Sequence, residues 1–295
     1  MATVFYDKAS VNVEWGAINE TLLASDFTVN LSSSAQPLYA IGNKGTLGQF
    51  PSSARVGDVS FNFITSITGV NYGQKGNIIN FLASGIKHSI GSTASGVTIS
   101  GAGVKGIGFL NSYSLNVASN SVSTSSASFT FYGSGSQLPV SGRLANSTIF
   151  PSAGNLGTEL ATGVAHGRYT PLTTLETTIG AGADPDPTDV GTVFGADYSV
   201  SFNHNPIYKL GQEFPVTSLY TTAQESINVT EDIFNSGLAF DESSNDYTID
   251  LHGLDTASTN DKMQLKMISG KQVSTSMSAG LDDIVRSQKT LTASY

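Results

Sequence analysis

Between Asp26 and Leu31 the chain alternates: Phe27, Val29 and Leu31 fall on one side of an extended backbone, Thr28 and Asn30 on the other. Such period-two alternation marks a strand buried on one face only. The pattern recurs at Val59-Phe61-Phe63, Tyr113-Leu115-Val117 and Phe129-Phe131. Later in the chain it returns at Tyr198-Val200-Phe202, Ile227-Val229, Met263-Leu265-Met267 and around Leu291. Only two short stretches carry helical spacing. One runs from Asn77 to Ala83, with Ile78, Ile79, Phe81 and Leu82; the other runs from Glu231 to Leu238, with Ile233, Phe234 and Leu238. Thr230 is placed to cap the second, its hydroxyl accepting a free backbone N–H. The fold class is therefore mainly β, with one short helix among each group of strands.

The strand groups repeat. Asp26-Phe27-Thr28-Val29-Asn30-Leu31 is followed by Pro37-Leu38-Tyr39, Ile41-Gly42 and Phe50-Pro51. Asp197-Tyr198-Ser199-Val200-Ser201-Phe202 is followed by Pro206-Ile207-Tyr208, Leu210-Gly211 and Phe214-Pro215. A second block pairs Val97-Thr98-Ile99 with Tyr247-Thr248-Ile249, Leu115 with Leu265, and Val122-Ser123-Thr124-Ser125 with Val273-Ser274-Thr275-Ser276. Two blocks in the same order point to two tandem copies of one β-sandwich or barrel-like domain. The boundaries predicted are 1–145 for the first copy, 146–190 for a Pro/Gly-rich connecting region and 191–295 for the second copy. The stretch from Ser134 to Thr192 holds Pro139, Pro151, Pro171, Pro185 and Pro187, and is long for a simple loop.

Composition narrows the chemistry. The chain has 295 residues and no cysteine, so disulfides, thiolate ligands and thiol nucleophiles are unavailable, as suits a reducing cytoplasm. No apolar run reaches the length of a signal peptide or of a membrane span. The net charge of −9 is unsuited to gripping phosphates. It is unevenly spread: residues 1–147 carry seven basic and five acidic side chains, and residues 148–295 carry seven and eighteen. Either two solvated surfaces have drifted apart in charge, or the halves of neighbouring chains are complementary.

The candidate chemical groups read as structural. His88, His166, His204 and His252 form no ligand or nucleophile-elbow spacing. Asp184, Asp186 and Asp189 could face a hard cation, but the prolines between them do not fit a calcium loop. Gly101, Gly103 and Gly106 lack the Gly-Lys-Ser/Thr ending of a phosphate loop and read as a turn. The sites Asn19, Asn30, Asn146 and Asn228 have glycosylation spacing without a secretion signal. Neither a catalytic residue nor a cofactor or metal ligand is assigned, and the chain is expected not to be an enzyme.

Leu110-Asn111-Ser112-Tyr113-Ser114-Leu115-Asn116-Val117, continuing from Val122 to Phe129, resembles the late hairpin of the tail tube proteins of tailed bacteriophages. With the two strand groups, that resemblance covers about two-thirds of the chain. It implies a virion protein, assembled in the host cytoplasm, whose tube domains form six-membered rings. In such rings the sheets join across subunits, and the rings stack into a conduit through which DNA passes without specific binding. A duplicated member would need three chains per ring. Its partners would be further copies of itself and the tape measure, tail terminator and baseplate proteins, with no membrane. Thr28, Asn30, Ser60, Asn62, Ser114, Asn116 and Thr130 would face water on one side of the sheet. Loops at 43–58 and 212–226, carrying Asn43, Thr46, Gln49, Arg55, Gln212, Glu213 and Glu225, would serve assembly. A baseplate hub, a tail-completion ring and a capsid decoration protein remain as neighbouring readings. A carbohydrate-binding β-sandwich module is the alternative from a different class.

Overall fold

The computed structural model describes residues 9–32, 35–39, 41–42, 45–51, 56–65, 77–92, 96–101, 104–118, 121–132, 175–178, 193–210, 215, 217–232, 240, 243–252, 262–281 and 285–295. Alternation becomes strand almost throughout. In chain order the elements are β1 (Ala9–Trp15), β2 (Ile18–Ser32), β3 (Ala35–Tyr39), β4 (Thr46–Pro51), β5 (Val56–Ile64), α1 (Ile78–Lys87), β6 (Val97–Gly101), β7 (Val104–Ala118) and β8 (Thr124–Tyr132). There follow β9 (Leu175–Thr178), β10 (Val193–Ile207), β11 (Thr217–Asp232), β12 (Asn245–His252), β13 (Lys262–Ser278) and β14 (Arg286–Ser294).

Twelve strands hydrogen-bond in the order β6-β1-β2-β5-β8-β7-β10-β11-β14-β13-β12-β9, every pair antiparallel; β3 and β4 form a separate hairpin. β6 also pairs with the start of β7, which closes the first six strands into a barrel. The second six form an extended row joined to that barrel through β7 and β10. β13 changes neighbour from β12 to β14 beside Ser269, whose φ of 53° kinks the strand. At Gly270 a Cβ would meet the Met267 sulfur and the Tyr247 ring, so the kink requires glycine there.

The two rows share their pairing order. β2-β5-β8-β7-β6-β1 is matched step for step by β10-β11-β14-β13-β12-β9. With Asp26 set against Asp197, as the sequence blocks align them, the registers carry the comparison along each row: Phe27 opposes Phe61 as Tyr198 opposes Ile227, and Phe61 opposes Ala127 as Ile227 opposes Leu291. The same steps set Val97 against Tyr247. The later matches are corrected. Ala127 opposes Tyr113 and Leu291 opposes Gln272, so Tyr113 corresponds to Gln272 rather than to Met263. Val122 precedes β8 whereas Val273 lies inside β13; the Val-Ser-Thr-Ser echo is not a structural equivalence.

One core of apolar side chains runs beneath both rows. Phe61 stacks between Phe27 and Phe129 at centroid separations of 6.1 and 6.0 Å, and Tyr113 meets Tyr198 across the β7–β10 joint. α1 covers this interior. Ile78, Ile79, Leu82, Ala83 and Ile86 recur at helical spacing and are all buried, each large one worth about 1.5–3 kcal/mol by transfer from water. Asn77 caps the helix, its side chain accepting from the Asn80 N–H at 2.8 Å, and the Glu20 carboxylate accepts from the Ile78 N–H at 2.6 Å. The chain then turns through Gly91, φ 85°, whose N–H donates to the Tyr220 carbonyl on β11. The second helix expected from the sequence is corrected at its start. Thr230, Glu231 and Asp232 are ladder residues of β11, paired with β14, because Ile227 and Val229 continue the strand alternation to that point. Its remainder, 233–238, lies outside the described residues.

Candidate assembly site

Because side chains alternate along each strand, the joined sheet has an apolar face on the core and a second face that is polar over its whole width. One row across it reads Thr28, Ser60, Ser128, Ser112, Ser201, Gln224 and Ser294, each directly opposite the next on the neighbouring strand. The adjacent row reads Asp26, Asn62, Ser126, Ser114, Ser199, Ser226, Thr292 and Lys271. The first row crosses seven strands and the second eight, and both pass the β7–β10 joint without interruption. They are cross-linked by hydroxyls and amides: Ser112 to Ser128 at 2.8 Å, Ser114 to Ser126 at 2.7 Å, Asn62 to Asp26, and Thr290 to Asn228 at 2.8 Å. At the joint the Asn116 amide donates to the Asp197 carboxylate.

Thr28, Asn30, Ser60, Asn62 and Asn116 are exposed on this face, as the alternation requires, and Ser114 is half-buried there. Thr130 is the correction. It is only 8% exposed, because it belongs to a polar chain that runs from β5 to β10. The His204 Nε2 donates to Asn111 Oδ1 (2.7 Å), Asn111 Nδ2 donates to Thr130 Oγ1 (2.6 Å), and Thr130 Oγ1 donates to Asp58 Oδ1 (2.7 Å). The other imidazole nitrogen then accepts from Ser218 at 3.1 Å and Tyr132 at 3.2 Å. Burial lowers the His204 pKa and so favours this neutral ring. The histidine and serine here lock the joint: Ser218 is wholly buried.

A second lock lies on the core face. Lys87, at the end of α1, donates to Glu225 of β11 at 2.6 Å, to Tyr198 of β10 at 3.3 Å and to the Lys266 carbonyl of β13 at 2.8 Å. Glu225 also accepts from the hydroxyls of Tyr198 (2.5 Å) and Tyr295 (2.6 Å). The Tyr198 hydroxyl is pushed well above its usual pKa by burial and then by the Glu225 charge. A helix from the first group of strands thus anchors in the second.

Glu225 is therefore not on an assembly loop; its side chain is 0% exposed and ion-paired. The span predicted as a loop at 212–226 is β11 from Thr217 onward, since Ser218 and Tyr220 and, past a bulge, Ala223, Glu225 and Ile227 turn to the core. Within 43–58, Thr46–Pro51 is β4, with exposed Thr46 opposite Tyr39 and Gln49 opposite Pro37. Asn43, Arg55, Gln212 and Glu213 lie outside the described residues. Sequence reading passed over two features of the sheet edges. The β2 edge beyond Ala24, on the side where β1 pairs, has no strand partner among the described residues, and neither does the outer edge of β13 from Val273 to Ser278. Residues 271–278 correspond by register to the part of β7 that pairs with β10, and 24–30 to the part of β10 that pairs with β7.

Among the described residues no cluster of His, Asp or Glu is arranged to hold a metal ion, and no helix is long and apolar enough to cross a membrane. A scan against protein-family models finds no match to the sequence, and no curated protein matches it.

Proposed function

We propose that this chain is a structural protein whose copies close into three-chain rings, the repeating unit of a bacteriophage tail tube that conducts DNA. The observation that carries the reading is the β7–β10 joint. It is an antiparallel pairing from Ser112–Ser201 to Ala118–Gly195, and among the described residues the corresponding stretches, Val273–Ser278 of β13 and β2 beyond Ala24, each have one side without a strand partner. Repeating the joint between chains pairs β13 of one copy with β2 of the next. Ser274 then opposes Thr28 and Ser276 opposes Asp26, which extends the polar rows from chain to chain. On the core side the same pairing covers Met277, 52% exposed, and the half-buried Phe27 and Val29. Unpaired strand edges invite uncontrolled aggregation, and a closed ring removes them.

The polar face suits a conduit wall. Its rows offer hydroxyls, amides and the carboxylates of Asp26 and Asp197, with Lys271 at the far edge. A wall of this kind repels phosphates weakly and does not grip them, whereas a cationic wall would bind DNA. The shared pairing order of the two rows supports a tandem duplication, and two tube domains per chain make three chains fill a sixfold ring. Negative-stain microscopy of the purified full-length chain tests the reading. Filaments with a central channel are expected. Single rings would favour a baseplate hub or completion ring, and dispersed monomers would favour a binding module.

A further inference from the structure

Between β7 and β10 the ladder ends at the pair Ser112–Ser201. Past that pair β10 runs on to Ile207, still bonded to β11, with His204 opposite Tyr220 and Ile207 opposite Thr217. Among the described residues no backbone pairing ties this end of β10–β11 to β7 or β8. Side chains tie it instead, and His204 is at their centre. Its Nε2 meets Asn111 of β7 at 2.7 Å, and its Nδ1 meets Ser218 of β11 at 3.1 Å and Tyr132 of β8 at 3.2 Å. The rings of Phe109, Tyr132 and Tyr220 pack around the imidazole at centroid separations of 5.8, 5.8 and 5.9 Å.

The direction of each bond in this cluster is set from one end. An ionised Asp58 can only accept, so Thr130 gives it its one hydrogen and accepts from the Asn111 amide. The Asn111 oxygen is then left to accept from Nε2–H, and Nδ1 is bare to take bonds from Ser218 and Tyr132. A proton on Nδ1 turns that acceptor into a donor and sets it against two hydroxyl hydrogens. Half-buried Tyr132 can turn to water, but the Ser218 hydroxyl is wholly buried, and among the described residues Nδ1 is its one acceptor. A buried donor without an acceptor is costly. The other groups facing the ring do not titrate with it. Burial pushes Tyr132 up to about 12, with Tyr208 adding to the push, and raises Tyr220 further, so both stay neutral phenols. Phe109 and Asn111, from β7, carry no titratable group. Burial favours the neutral imidazole, and Asp58 of β5, acting through its charge, favours the protonated one more weakly.

We infer that His204 is an acid-released latch: a proton on Nδ1 turns Ser218 and Tyr132 away and frees the end of β10–β11, residues 204–207 and 217–219, from β7 and β8. The rest of the joint holds, because the ladder from Ser112–Ser201 to Ala118–Gly195, the Lys87–Glu225 pair and the bond from Gly91 N–H to the Tyr220 carbonyl contain no group of the latch. The motion is therefore a hinge within one chain, whatever the number of chains in an assembly. Its sign follows from burial. The latched state binds the proton less readily than a free imidazole, so latching is fully present above pH 6.5 and is lost as pH falls through the lower value of the latched ring.

The test follows the His204 ring by nuclear magnetic resonance and the hinge by spin-label distances in the full-length chain. The protein has no native cysteine, so labels are placed at the exposed pair Ser60→Cys/Asn205→Cys, with Ser60→Cys/Gln288→Cys as the control across the part that holds. Labelled chains are diluted into unlabelled ones so that only distances within a chain are read. The neutral ring is expected to carry its proton on Nε2 and to titrate below 6.5. The 60–205 distance is expected to lengthen at that same midpoint while the 60–288 distance stays constant. Asp58→Asn removes the charge that favours the imidazolium and should move both midpoints to lower pH together. His204→Gln should show no midpoint in the 60–205 distance; if it does not fold, the wild type and Asp58→Asn decide. A ring that titrates at or above 6.5, a 60–205 distance unchanged through the titration, or an Asp58→Asn variant that moves neither midpoint overturns the latch.

Discussion

Lys87 and Glu225 are a buried ion pair between a helix of one strand group and a strand of the other, and Glu225 corresponds by register to Val59 in the first group. Removing one charge strands its partner in the core. Glu225→Gln is expected to cost about 3–5 kcal/mol, and adding Lys87→Met to recover a good part of that loss, because no unpaired charge then remains. Denaturant unfolding of the two single variants and the double measures the coupling. Glu20 makes a different statement. Burial raises its pKa from 4.5 to about 7, the bond from Ile78 N–H partly offsetting the shift. Between those values the folded protein keeps a proton that the unfolded chain has lost. The contribution of Glu20 is therefore complete below pH 4.5 and lost as pH rises through 7, a change of about 3 kcal/mol. Stability curves for the wild type and Glu20→Gln should diverge in that window and not below it; parallel curves would remove Glu20 from the account.

At the level of elements, the ring proposal takes the joint between β7 and β10 as the template for a joint between chains. Thr28→Cys/Ser274→Cys tests its register in a protein with no native cysteine. Residues directly opposite on antiparallel strands have Cα atoms about 4.5–5.5 Å apart, within disulfide range. Oxidised protein is expected to run as a covalent three-chain species on a non-reducing gel, and a product that stays monomeric would refute this pairing. How far such elements were legible depended on local pattern. The Phe27-Val29 and Tyr198-Val200-Phe202 alternations, the Asn77 helix and the water-facing Asn62 and Asn116 could be read because each is fixed by its own neighbours in sequence. Thr130 and Glu225 could not. Their burial comes from His204 through Asn111 and from Lys87, partners 74 and 138 residues away, and no local period encodes such contacts. The Leu115–Leu265 match slipped because Ser/Thr-rich strands look alike at any even shift, whereas hydrogen-bond register distinguishes them.

For the whole molecule, the uneven charge becomes an argument about order around a ring. Residues 1–147 sum to +2 and residues 148–295 to −11. Joining β13 of one chain to β2 of the next sets an acidic half beside a near-neutral one at every chain boundary. The alternative boundary between two acidic halves carries like-charge repulsion. Exposed charges are screened over about 8–10 Å near physiological salt, so ring formation should quicken as salt is lowered, and a rate independent of salt would remove steering by the two halves. The central claim is closure at three chains. Native mass measurement of the smallest assembled species tests it most directly: three full-length chains are expected, and a single ring of six full-length chains, or a strict monomer at high concentration, would contradict it.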